Sequence, residues 1–214
     1  MAYHQPPAAT CSKPTIYFGY GSNLWLDQMH IRCPASKYLG IARLNSYRWI
    51  INDRGYANVV EKSKDQMTSP HSNMPDYSNV VFGLVYSLSP EDEKRLDRNE
   101  GVPIAYTKEL LACDFWESTT DHKVDTSKRP DEKKDMLVYI DRNRTTPDEP
   151  RKEYIYRMNQ GIADAMKMGV PEQYVKNVMR KFIPAEEEGQ GRKSMEEFAK
   201  GQAAEFRDES GVFQ

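Results

Sequence analysis

One junction constrains this chain more than any other feature. An apolar, β-prone run, Thr15 to Gly19, stops at Tyr20-Gly21-Ser22-Asn23-Leu24, and a helical pattern opens at Trp25. Apolar residues without alternation describe a strand buried on both faces. A strand that ends in small residues and turns directly into a helix leaves backbone N–H groups facing outward. The first helical turn adds partial positive charge at the same place. The junction therefore predicts a buried first strand and a turn able to cradle an anion. Read alone, Gly-Ser-Asn is also an ordinary turn. The chain has no Gly-x-x-x-x-Gly-Lys-Ser/Thr run, so nucleotide binding has weak support.

The remaining elements are strands interrupted by isolated helices. Trp25 to Arg32 reads as a short helix with Leu26, Met29 and His30 on one side; Asn23 is placed to cap it and Cys33-Pro34 stops it. Lys37 to Asn52 is a long β-prone run holding two strand portions or one bent strand. Asp53-Arg54-Gly55 turns it, and Tyr56 to Val60 returns as a short strand. Glu61 to Asn79 is polar and aperiodic, a long surface loop. Val80 to Leu88 is the clearest strand, and Ser89-Pro90-Glu91-Asp92-Glu93 has the N-cap, N1 and acidic first turn of a helix running to about Asn99. Further strands are expected at Tyr106 to Trp116 and Met136 to Ile140, with a polar loop over Glu117 to Lys134. Apolar residues recur at helical spacing over Glu153 to Met168 and again over Pro171 to Phe182. This order predicts an α+β domain over 15–184, built on a small mixed sheet or partly closed barrel with flanking helices. Residues 1–14 read as a tail, and the charged extension 185–214 as a segment without a core of its own.

Composition removes several function classes. With 30 basic and 32 acidic residues the net charge is −2, which gives no electrostatic case for nucleic acid or an anionic membrane. No apolar run approaches the roughly 20 residues that span a bilayer, and 1–10 lacks the pattern of a secretory signal. Three widely spaced cysteines favour a reducing compartment, hence a cytoplasmic protein. The four histidines show no metal-ligand spacing, and neither metal nor cofactor is expected. His30 and Cys33, three apart and followed by Pro34, make a poor nucleophile pair. Tyr47, Trp49, Tyr86 and Trp116 are expected in the core or in a pocket wall, because no basic patch accompanies them.

Glu100 is the candidate acid/base. It ends the Pro90 helix just before Gly101, where the negative end of the helix dipole pushes a carboxyl pKa upward. A general base working near neutral pH benefits from that push. On spacing alone, a glutamate before a C-capping glycine is more often a solvated surface charge.

Tyr17-Phe18-Gly19-Tyr20-Gly21-Ser22-Asn23-Leu24 resembles the signature of the γ-glutamylcyclotransferases. Met29 to Pro34, Ile41 to Leu44, Val81 to Tyr86 and Leu96 to Val102 resemble the segments that follow it in that family. The resemblance runs from about Thr15 to Pro184. It implies the family fold and an enzyme, a lyase or acyltransferase of glutathione metabolism. The substrate would be a small γ-glutamyl amino acid or peptide, released as 5-oxoproline and a free amino acid. It places the catalytic role on Glu100 and substrate binding on Tyr20, Gly21, Ser22, Asn23 and Leu24, with Tyr106 and Tyr139 in the pocket wall. A homodimer is compatible with it. The 61–79 loop and the C-terminal extension leave two alternatives open. One is a γ-glutamyl amine, or a γ-glutamylated intermediate of a specialised biosynthetic pathway, as substrate. The other is a non-catalytic binding module of the same fold.

Overall fold

The computed structural model describes residues 13–63, 65, 76–118, 123–185, 192–208 and 210–211. Most of the expected tail over 1–14 and much of the 61–79 loop lie outside the described residues.

The buried first strand is β1 (Thr15–Gly19). A single 3-10 turn, Ser22–Leu24, leads into α1 (Leu26–Arg32). The long β-prone run divides at Ser46, whose φ is 66°, into β2 (Lys37–Asn45) and β3 (Tyr47–Ile51). β4 (Ala57–Glu61) follows, then β5 (Val80–Leu88), α2 (Pro90–Asn99), β6 (Thr107–Glu117) and β7 (Glu132–Ile140). The chain continues as α3 (Lys152–Met168), α4 (Glu172–Asn177) and α5 (Arg192–Ala204).

Five strands close into a barrel in the order β1-β5-β2-β6-β7, and β3 pairs with β4 as a separate hairpin. Every barrel pairing is antiparallel except the closure, where β1 meets β7 in parallel at Tyr17 and Leu137. Closure leaves no bare barrel edge. It requires sharp bending, and β2 supplies it with an irregularity between Tyr38 and Gly40. Gly40 has φ 150°, and a Cβ there would lie 2.1 Å from the Trp116 carbonyl oxygen. Phe18, Ile41, Leu84, Val85, Val138 and Ile140 are buried in the core on one face of the barrel wall or the other.

The start of α2 follows its sequence signals. Ser89 Oγ accepts from the Asp92 N–H at 3.1 Å, and Pro90 takes the first helical position. Three boundaries differ from expectation. β7 begins at Glu132, because the charged Glu132-Lys133-Lys134 stretch pairs with β6 beyond the apolar part of the strand and carries no apolar signal. The helix expected over 171–182 breaks at Val178 (φ −119°, ψ −66°) into α4 and a 3-10 turn, Met179–Lys181. Asn23 does not cap α1: Trp25 holds the N-cap position, and the Asn23 side chain is engaged elsewhere.

α5 packs against α3 and α1, with Ala199 and Ala203 buried beside Trp25 and Tyr156. The C-terminal segment thus joins the domain's packing rather than forming a unit of its own. Among the described residues, no helix is long and apolar enough to cross a membrane.

Candidate active site

Where β1 runs into the 3-10 turn, the chain encloses a cavity with about 460 Å³ of empty space, its mouth included. The cradle residues Tyr20, Gly21, Ser22 and Asn23 line one side, and Glu100, Tyr106 and Tyr139 line others. Residues far apart in sequence meet there because β1, β4, the end of α2, β7 and α3 converge on this end of the fold. Leu24 does not line the cavity. It is buried in the core, where a Cβ on Gly161 of α3 would come within 3.0 Å of its own Cβ.

Glu100 caps α2, its N–H donating to Leu96 O at 2.8 Å. Its Oε1 accepts from Asn23 Nδ2 at 2.8 Å. Burial raises its pKa above the usual carboxylate range; Arg32, the Asn23 hydrogen bond, Arg54 and Arg157 pull part of the way back. The direction is the one expected from the helix end, but the cause that raises it here is burial.

Asn23 is the hub of the site. Its Nδ2 donates to Glu100 and to Tyr17 Oη, the latter at 2.8 Å. Its Oδ1 accepts from Gln28 Nε2 at 2.7 Å and from Arg32 Nη1 at 3.1 Å. These four bonds use the whole capacity of the amide and fix which way it faces. Asn23 therefore aims the glutamate. Ser22 Oγ is held likewise, by Gln28 Nε2 at 3.0 Å and Arg157 Nη1 at 3.1 Å.

The tyrosines are rigid, neutral walls. Tyr20 Oη donates to Tyr139 O at 2.6 Å, Tyr106 Oη to Ala57 O at 2.7 Å, and Tyr139 Oη to Asp97 at 2.7 Å. Burial pushes Tyr17, Tyr20 and Tyr106 well above the usual phenol range and Tyr154 up to about 12. The Tyr154 oxygen accepts the N–H groups of Ser22 at 3.2 Å and Ala57 at 3.3 Å, locking the cradle to β4. That approach explains Gly21, since a Cβ there would sit 2.8 Å from Tyr154 Oη and 3.2 Å from the Ala57 Cβ.

Three buried arginines complete the lining. Arg32 donates to Ala203 O at 2.8 Å and Gln202 O at 3.0 Å, and burial lowers its pKa to about 10. Arg54 forks onto one oxygen of Asp208 at 2.7 and 3.0 Å and lies over the Tyr106 ring. Arg157 forks onto Glu153 at 2.8 and 3.0 Å. The Arg157 and Glu153 side chains are 1 % and 5 % exposed, so removing one partner strands the other charge. Glu153→Ala is expected to cost about 3–5 kcal/mol of unfolding free energy. Chemical denaturation measures it, and a loss below about 1 kcal/mol contradicts a desolvated pair.

Sequence reasoning missed Arg32, Arg54, Arg157, Tyr17, Tyr154 and Phe206 as lining residues. One signal was available. Arg157 lies between Tyr154, Met158 and Ile162 on the apolar stripe of α3, and Glu153 sits at i−4. A charged pair on a buried stripe marks either an internal ion pair or a site. Arg54 lies in a turn and carried no such signal.

Comparisons with known proteins bear on the fold. No family model matches the chain. The γ-glutamylcyclotransferases of Bos taurus and Homo sapiens match 97 residues each, at 26 % and 25 % identity. Those matches cover 41 % of this chain and 44 % of each relative, so the match spans less than half the length of the curated relatives. Among solved structures, one described as a γ-glutamyl cyclotransferase superposes with a TM-score of 0.60 at 20 % identity, covering 88 % of this chain and 99 % of that one. An uncharacterized human protein superposes with a TM-score of 0.61, also at 20 % identity and with the same coverage. The chain has the γ-glutamylcyclotransferase-like fold.

Proposed function

We propose that the chain is a γ-glutamylcyclotransferase, converting a γ-glutamyl amino acid or peptide to 5-oxoproline and the free amine. The observation that carries this reading is the pairing of Glu100 with Asn23: a carboxyl with a raised pKa, aimed by the cradle amide into a cavity lined by buried arginines.

The reaction is intramolecular. The α-amine attacks the γ-carbonyl carbon and closes a five-membered lactam as the bond to the leaving nitrogen breaks. Well-oriented ring closures reach effective molarities of about 10⁵ M or more, so fixing the substrate's fold supplies much of the acceleration. Proton movement is the remaining task. The α-ammonium has no lone pair, so Glu100 first takes one of its protons. As the ring closes, the electron pair of the C=O bond moves onto oxygen, and a second proton leaves the attacking nitrogen. The tetrahedral centre collapses as a proton reaches the departing nitrogen from Glu100. In total two protons leave the attacking nitrogen and two reach the amine, which departs as an ammonium. One carboxyl can serve each transfer in turn. The arginines provide a positive field for the substrate α-carboxylate, and the cradle backbone faces the carbonyl where negative charge develops.

The raised Glu100 pKa sets a pH signature with two readouts. The base form is required, so kcat/KM rises with pH through the titration of that carboxyl and reaches its plateau above the usual glutamate range. Stability runs the other way. A carboxyl raised above its unfolded value binds more protons folded than unfolded, so its contribution is full below about 4.5 and is lost as pH rises through the folded pKa. Glu100→Gln removes that slope. A pH-independent difference in unfolding free energy between wild type and variant from pH 4 to 8 contradicts the raised pKa.

A second reading keeps the chemistry and changes the leaving group to an amine or a γ-glutamylated biosynthetic intermediate. The presence of Phe206, from the C-terminal segment, in the cavity wall favours keeping it open. Scoring 5-oxoproline from γ-glutamyl amino acids, γ-glutamyl amines and glutathione decides between the two.

A further inference from the structure

The C-terminal segment after α5 is fastened to the cavity at several points. The Phe206 N–H donates to Asn99 Oδ1 at 3.1 Å. Its ring meets the Tyr56 ring edge-on at 5.1 Å, and the Arg157 guanidinium lies over it at 5.4 Å. Two residues on, Asp208 takes the fork of Arg54, whose side chain is 1 % exposed. Upstream, Arg32 binds the carbonyls of Gln202 and Ala203. The ring of Phe206 is thus held in place by partners that belong to the cavity itself.

Its position separates two spaces. Arg32, Asn99 and Phe206 line the cavity that holds Glu100, and they also line an outer groove with Ile31, Arg95 and Arg98. Of these three, Asn99 is tied through Nδ2 to Arg95 O at 2.9 Å, and Arg32 is committed to Asn23 and to α5. Phe206 is the apolar member of the boundary. A substrate whose glutamyl part reaches Glu100 and the cradle presents its far end toward this boundary if it extends into the groove.

We infer that Phe206 is a specificity-determining residue: its ring forms the wall of the leaving-group subsite and limits the size of the amine that the site accepts. This rests on the cyclotransferase reading. Removing the ring joins the cavity to the Arg95–Arg98 groove, whereas a larger ring narrows the boundary. A leaving group of small cross-section is indifferent to both changes relative to a bulky one.

The test compares wild type with Phe206→Ala, Phe206→Leu and Phe206→Trp on γ-glutamyl compounds of increasing leaving-group size. Released 5-oxoproline gives kcat/KM, and calorimetric titration of the same compounds gives affinity independently of turnover. Phe206→Ala is expected to shift the bulky-to-small ratio upward by about tenfold or more, the effect of changed apolar contact in a pocket. Phe206→Trp shifts it downward, Phe206→Leu falls between wild type and Phe206→Ala, and the thermal unfolding midpoint of each variant controls for loss of fold. Equal ratios in wild type, Phe206→Ala and Phe206→Trp overturn the inference, as does uniform loss across the series. Failure of all the proteins to release 5-oxoproline rejects the cyclotransferase reading alone, because affinity then carries the same ratio. Absence of both turnover and binding rejects the two together.

Discussion

Glu100→Gln is expected to lower 5-oxoproline release by about 10²–10⁴-fold, the range that one positioned acid/base supplies. The upper end is favoured because, in the proposed mechanism, the same carboxyl moves protons at ring closure and at departure of the amine. The substitution is otherwise mild. A glutamine retains a carbonyl oxygen that accepts from Asn23 Nδ2, so the hub that orders Tyr17, Gln28 and Arg32 has no reason to rearrange. It also relieves the penalty of burying a charged group, so the unfolding midpoint at neutral pH should not fall. Calorimetric titration should show substrate affinity within a few-fold of wild type, while turnover collapses. Retained activity removes Glu100 from the chemistry. Lost activity with lost affinity makes it a binding residue instead.

Gly21→Val acts by geometry rather than by charge. The first added carbon would lie 2.8 Å from Tyr154 Oη and 3.2 Å from the Ala57 Cβ, and two further methyl groups must be accommodated beyond it. Tyr154 has to retreat, and with it goes the shared acceptor for the Ser22 and Ala57 N–H groups. Overpacking of this kind costs about 1–3 kcal/mol. The functional loss should exceed the stability loss, because the cradle detaches from β4 and Ser22 shifts from Arg157. A fall in affinity for a γ-glutamyl ligand of at least about tenfold is expected, a change of 1.4 kcal/mol. Gly19→Ala is the control. The contacts of a Cβ there start at 3.3 Å, against the edge of the Tyr17 ring and Asn23, so the neighbours need move only a few tenths of an ångström. Unchanged affinity in Gly21→Val sinks the cradle as a substrate site.

Much of this architecture was legible because the relevant signals are local. The Thr15–Gly19 run, the Ser89-Pro90 helix start and the apolar stripe of α3 each state their element within a few residues. Closure of the barrel was only partly legible, since the β1–β7 pairing joins Tyr17 to Leu137 and no local pattern encodes it. The site divides in the same way. Glu100 and the cradle are visible locally as a helix end and a small-residue turn, features ordinary on their own that the family resemblance singled out. What joins them is the Asn23 side chain, which the local pattern assigned to a helix cap and the resemblance to substrate binding. A cap and a hub need the same residue type, and only the fold tells them apart. Arg54 and Phe206 were invisible for a different reason. Arg54 is an ordinary turn residue until Asp208 folds back onto it, and Phe206 is one apolar residue in a charged extension until it docks against Tyr56.

The proposed reaction is the closure of a γ-glutamyl group on itself in this cavity. The measurement that tests it most directly is the incubation of purified protein with γ-glutamyl amino acids, γ-glutamyl amines and glutathione, quantifying 5-oxoproline, free amine and glutamate together. 5-Oxoproline and amine are expected in equal amounts from at least one compound, without glutamate, and both are expected to disappear in Glu100→Gln. Glutamate in place of 5-oxoproline, which is hydrolysis, or no product across the panel would contradict the proposed reaction.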